Sequence, residues 1–158
     1  MIRSTALICF LTALLSSCQI EQCDDPMPFL EYKDFIQAGD SATMVLIFRD
    51  CDGDFGLPEE DDVPTAPFDY NLFADYYFFK DSVWTLFEPA DSLLAPFYYR
   101  VPEIENRSVS KTLEGEIHIQ MYPYYIPFFG DTIRYEVYIR DRALNESNRI
   151  FTPTIIVR

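Results

Sequence analysis

Between residues 113 and 121 apolar and polar side chains alternate without a break. Leu113, Gly115, Ile117, Ile119 and Met121 share one face, and Glu114, Glu116, His118 and Gln120 share the other. Residues 132–140 repeat the pattern, with Ile133, Tyr135, Val137 and Ile139 set against Thr132, Arg134, Glu136, Tyr138 and Arg140. A period of two over such lengths predicts strands with one buried and one wet face. Residues 43–48 form a near-continuous apolar run, which predicts a strand covered on both faces. Residues 72–79 are aromatic-rich and strand-like. Further strands are predicted over 29–35, 83–88, 97–101 and 151–157, with Pro153 pushing the last toward an edge or a bulge.

No heptad, long amphipathic helix or internal repeat competes with this β signal. About seven strands joined by turn-rich loops predict an all-β fold, an antiparallel β-sandwich. Pro64, Pro67, Pro89, Pro96, Pro102, Pro123 and Pro127 all fall between strands, where proline is tolerated. Two loops are long, 50–70 and 122–131, and long loops on a rigid sandwich are where function usually resides.

The amino terminus has a different pattern. Met1-Ile2-Arg3 leads into an apolar run from Ala6 to Leu15, which Ser16, Ser17 and Cys18 close. The run is shorter than the ~20 residues that a bilayer span needs, so it reads as a targeting segment outside the fold. Small residues directly before a cysteine make it a bacterial lipoprotein signal, with Cys18 as the acylated first residue of the mature chain. An ordinary cleaved signal with Cys18 merely nearby is the other reading. The organisation expected is a signal over 1–17, an acidic tether over 18–28 and one domain over 29–158. Its expected address is the bacterial cell envelope, lipid-anchored at the outer membrane.

With 49% hydrophobic and 16% aromatic residues, the chain can bury a real core. Its 26 acidic against 12 basic residues give a net charge of −14, and losing Arg3 with the signal makes it one unit more negative. Such a surface repels phosphate backbones, which argues against nucleic acid as a partner. It is repelled by anionic lipid as well, so membrane attachment is assigned to the acyl chains alone. Once Cys9 leaves with the signal and Cys18 takes lipid, Cys23 and Cys51 remain. In an oxidising compartment they either pair, tying the start of the domain to the acidic loop, or stay as free thiols.

Chemistry-bearing residues are few. Asp50, Asp52 and Asp54 alternate within a loop that also holds Gly53 and Gly56, and Asp61 follows among Glu59, Glu60 and Asp62. Ca²⁺ takes six to eight hard oxygens, and an Asp-x-Asp-x-Asp loop supplies a good part of them. The loop is not an EF-hand, because Phe55 stands where glycine is needed and Asp61 where a bidentate glutamate is usual. The competing reading is a turn capped by its own carboxylates. His118 is the chain's one histidine and lies on a wet face, so no Ser-His-Asp or Cys-His set is assembled without it. Tyr122 to Phe129 form a Pro-aromatic loop that either offers rings to a ligand or partner, or folds back over the open end of the sandwich.

Residues 135–148, YEVYIRDRALNESN, resemble the penultimate strand and following turn of bacterial immunoglobulin-like domains, with Leu144 where glycine is more common. More widely, the chain resembles uncharacterised lipoproteins of the Bacteroidetes type. The likeness rests on FRDCDGDFGL at 48–57, NLF at 71–73, RVP at 100–102, LEGEI at 113–117 and DTIRY at 131–135. It implies an immunoglobulin-like sandwich and an envelope address, and it carries no assigned activity. Asp-Ser and Asp-Thr pairs followed by an apolar residue, at Ser41, Ser82, Ser92 and Thr132, look like O-glycosylation sites of exported proteins of that group. Turn chemistry explains the same residues, and Ser82 and Ser92 are the candidates that fall in loops. The function expected is non-catalytic binding or scaffolding at the envelope. The alternative is a calcium-dependent or glycan-binding accessory lipoprotein of an outer-membrane uptake system, with an envelope protein or a glycan as partner.

Overall fold

The computed structural model describes residues 23–58, 67–89, 97–105 and 110–158. The described residues form two antiparallel sheets that do not close into a barrel, an all-β sandwich. Cys18, Asp61 and Ser92 lie outside the described residues.

The first sheet has the order β1-β2-β6, with β1 at Phe29–Ala38, β2 at Ser41–Asp50 and β6 at Leu113–Met121. Gly39 and Asp40 join β1 to β2, and Gly39 takes the positive φ of 62° that a two-residue hairpin favours. The second sheet is built on β3 (Leu72–Lys80) and β7 (Thr132–Ile139), paired from Leu72↔Ile139 to Phe78↔Ile133. Around them lie the short strands β4 (Val83–Leu86), β5 (Tyr98–Tyr99), β8 (Ile150–Phe151) and β9 (Ile155–Ile156). The terminal strand expected over 151–157 is thus two pieces on either side of Pro153, which cannot donate to a ladder. Asp81 and Ser82, both at positive φ, make the β3–β4 hairpin turn, so Ser82 is exposed at a tip.

Inward rows from both sheets meet in one core. Ala42, Met44, Leu46 and Phe48 of β2 and Leu113, Ile117, Ile119 and Met121 of β6 face Leu72, Ala74, Tyr76 and Phe78 of β3 and Ile133, Tyr135, Val137 and Ile139 of β7. The outer face of β2 is only partly covered among the described residues: Val45 is buried at 4%, whereas Ile47 is 37% exposed. The tether also ends earlier than 28. Cys23 is bonded to Cys51, Pro28 is buried, and Asn145 Nδ2 donates to the Pro26 carbonyl at 3.4 Å. Residues 23–28 are therefore held against the domain.

Of the two long loops, 122–131 folds back. Tyr124 is fully buried, its hydroxyl donates to Gln37 Oε1 at 2.8 Å, and its ring meets Phe35 at 5.7 Å. Tyr125, Ile126 and Phe129 pack against the core, while Tyr122 stands out, at 80% exposure.

Candidate metal centre

Strand alternation buries an acid at the end of β2. The inward positions 42, 44, 46 and 48 are apolar, and the next one is Asp50, with no exposed surface. β7 does the same. Inward positions 133, 135, 137 and 139 are apolar, and two residues further on Asp141 is 1% exposed. The two rows belong to opposite sheets and end at the same end of the sandwich. The loop after β2 adds Asp54, and one carboxylate oxygen each from Asp50, Asp54 and Asp141 lie within 4.8 Å of one another.

Hydrogen bonds hold each carboxylate in place and leave oxygens over. Asp50 Oδ2 accepts from the Phe55 amide at 2.8 Å, and Asp54 Oδ2 accepts from the Ala143 amide at 3.1 Å. Asp141 accepts from Asn145 twice, from the backbone amide at 2.8 Å and from Nδ2 at 2.9 Å. Asp50 Oδ1 and Asp54 Oδ1 are buried and have no hydrogen-bond partner. Buried polar atoms in folded proteins are nearly always satisfied, so two unpaired anionic oxygens beside a third carboxylate call for an explanation.

The electrostatics agree. Burial pushes the Asp50 carboxyl up to about 6, the Phe55 amide opposes this, and the neighbouring Asp52 and Asp54 add to the rise. Burial also raises Asp54, with Asp141 and Asp52 adding, against the Ala143 amide and Arg142. Asp50 and Asp54 are thus both disfavoured as anions by neighbouring charge as well as by lost water.

The surrounding backbone is clamped. Gly53 has φ 78°, and a Cβ there would land on the Lys111 carbonyl oxygen. Phe55 is buried with its ring 5.1 Å from Phe48. Leu57 bonds on both sides of Pro102, its amide to the Val101 carbonyl at 3.0 Å and its carbonyl to the Glu103 amide at 2.8 Å. Arg142 reaches across to the Gly56 carbonyl at 3.2 Å and to Glu103 at 2.7 Å. The Cys23–Cys51 disulfide fixes the residue next to Asp50, and so removes both thiols as ligands.

The cluster differs from the set read in the sequence. Asp50 and Asp54 belong to it, and Asp52 is exposed beside it. Asp141, absent from that set, supplies the third carboxylate. The signal for it was present, since the period of two in 133–139 runs on to 141. His118 is exposed and shares Glu116 with Lys33, its Nε2 lying 3.1 Å from Glu116 Oε2. Tyr124, Tyr125 and Phe129 of the aromatic loop cap the core, so these rings are not a free stacking surface.

No protein-family model matches this chain, and neither a curated protein nor a solved structure is significantly similar to it.

Proposed function

We propose that this chain is a non-catalytic, immunoglobulin-like module of a lipid-anchored envelope protein, and that its acidic end binds a divalent cation, with Ca²⁺ the best fit. The observation that carries the ion is the pair of buried, unpartnered oxygens, Asp50 Oδ1 and Asp54 Oδ1, next to Asp141. An all-carboxylate set selects a hard cation over those that prefer sulfur or imidazole. The ion would join β2 of one sheet to the segment after β7 of the other. The anchor rests on the signal ending at Cys18, five residues before the disulfide-held Cys23. The acidic end therefore lies within about 18 Å of chain from the lipid.

Two measurements test this reading. Equilibrium dialysis of the chain from residue 18, with Cys18→Ala, should find one Ca²⁺ bound per chain, and none in Asp50→Asn; wild-type dialysis without bound ion removes the metal. Cys18→Ala in the full chain should release the protein from membranes. Retention after a salt wash removes the anchor.

A further inference from the structure

Sheets manage their edges, and among the described residues three are blunted and one is not. β1 is interrupted by a bulge between Tyr32 and Asp34. The Asn148 amide then occupies its edge at Leu30, with Oδ1 accepting from the Leu30 amide and Nδ2 donating to its carbonyl, both at 2.8 Å. In the second sheet β4 has four residues, and β8 and β9 have two each. β6 has nine residues, no proline and no bulge, and among the described strands it is bonded to β2 alone. Its inward residues retain exposure at this edge, with Leu113 at 6%, Ile117 at 8% and Ile119 at 5%, where Met44 and Leu46 in central β2 have none. A long edge strand with no described partner on its outer side is a template for another strand.

We propose that β6 pairs antiparallel with β6 of a second copy, about a two-fold axis at Ile117, to make one continuous six-stranded sheet. The strand's own side chains select this occupant and this register. Residues directly opposite one another in an antiparallel pair share a face, so apolar meets apolar only when the two-fold falls on a residue. With the axis at Ile117 all nine residues overlap, Glu116 meets His118 of the second copy, and Glu114 meets Gln120. No like charges are opposed. Moving the axis to Glu116 sets that carboxylate against itself, and moving it to Gly115 sets Glu114 against Glu116 twice. The acidic clusters of the two copies do not oppose one another in this pairing. Asp50 sits opposite Leu113 at one end of β6, so the acidic ends of the two copies would lie roughly 27 Å apart along the strand. That is well beyond a Debye length of about 8 Å at physiological salt.

The pairing goes beyond the cation reading and is independent of it, so the tests are run in EDTA. Sedimentation of the chain from residue 18 with Cys18→Ala should show a concentration-dependent dimer. His118→Glu, at an exposed position, puts two like-charge pairs across the axis and should weaken the dimer roughly tenfold. His118→Gln keeps a hydrogen-bonding partner for Glu116 and should leave it intact. For the register, Glu116→Cys and His118→Cys proteins are mixed under mild oxidation. A crosslink should form between the two variants and not within either alone. A monomer up to millimolar concentration overturns the proposal, as does a dimer that His118→Glu leaves unchanged or that fails to give the mixed crosslink.

Discussion

Asp50 and Asp141 hold equivalent places in two different sheets: each takes the next inward position after an unbroken row of four buried apolar side chains. One is fully buried and the other 1% exposed. Burying one carboxylate without a cation beside it is costly, and burying two facing one another is costlier. Asp54, drawn in by the Ala143 amide, adds a third negative group to the same space. The fold has therefore concentrated its electrostatic strain at one end, where a divalent ion would relieve it.

The pH dependence of the ion-free protein follows. Asp50 has its pKa raised from 3.8 to about 6, so the folded chain holds this proton more tightly than the unfolded chain. Between those values the native state binds more protons, and stability falls as pH rises through the window. In EDTA the thermal midpoint should rise on acidification from neutral pH to about pH 5, and Asp50→Asn should flatten that rise. At still lower pH Glu146, held below its ordinary value by Arg140, titrates in the opposite sense and ends the gain. In Ca²⁺ the slope should reverse, because proton and ion compete for the same oxygens. A midpoint that falls steadily from neutral pH in EDTA contradicts the assignment to Asp50.

The disulfide closes a loop across a sequence separation of 28 and borders the cluster. Replacing Cys23 and Cys51 together by alanine should cost about 3 kcal/mol in urea unfolding. It should also weaken Ca²⁺ binding, since Asp50 loses its fixed neighbour. Loss of stability with unchanged ion affinity would separate the bond from the site.

Two tyrosines of one loop should behave oppositely. Tyr124 is fully buried, so Tyr124→Ala should cost about 3–5 kcal/mol. Tyr122 is 80% exposed, and Tyr122→Ala should change stability by less than about 0.5 kcal/mol. Comparable losses would mean that the loop does not fold back as described.

The strand plan was legible because it is local. β6 and the inward row of β7 follow directly from alternation, and Pro153 marks the break between β8 and β9. The run at 43–48 was only partly informative about layers, since apolar content does not say what covers the outer face, where Val45 is buried and Ile47 is 37% exposed. The candidate metal centre was half legible. Asp50 and Asp54 lie in one acidic loop, but Asp141 joins them only because two strands far apart in sequence end their inward rows together. Proximity of that kind is a property of the packed sheets, invisible in either segment. The direction of the aromatic loop was undecidable for the same reason, as it depends on Phe35 and Gln37 of β1.

Melting curves of four proteins test whether Asp50, Asp54 and Asp141 hold one divalent cation. An ion bound only by the native state stabilises it by ~2.7 kcal/mol at a hundredfold excess over Kd. For a domain of this size that is a rise of several degrees in Tm. The wild type should melt higher in millimolar Ca²⁺ than in EDTA. Asp50→Asn and Asp141→Asn should lose that difference, while Asp52→Ala, at the exposed position outside the cluster, should keep it. Wild-type curves that superimpose in Ca²⁺ and EDTA, or a difference lost in Asp52→Ala and retained in Asp141→Asn, would rule out an ion held by these three carboxylates.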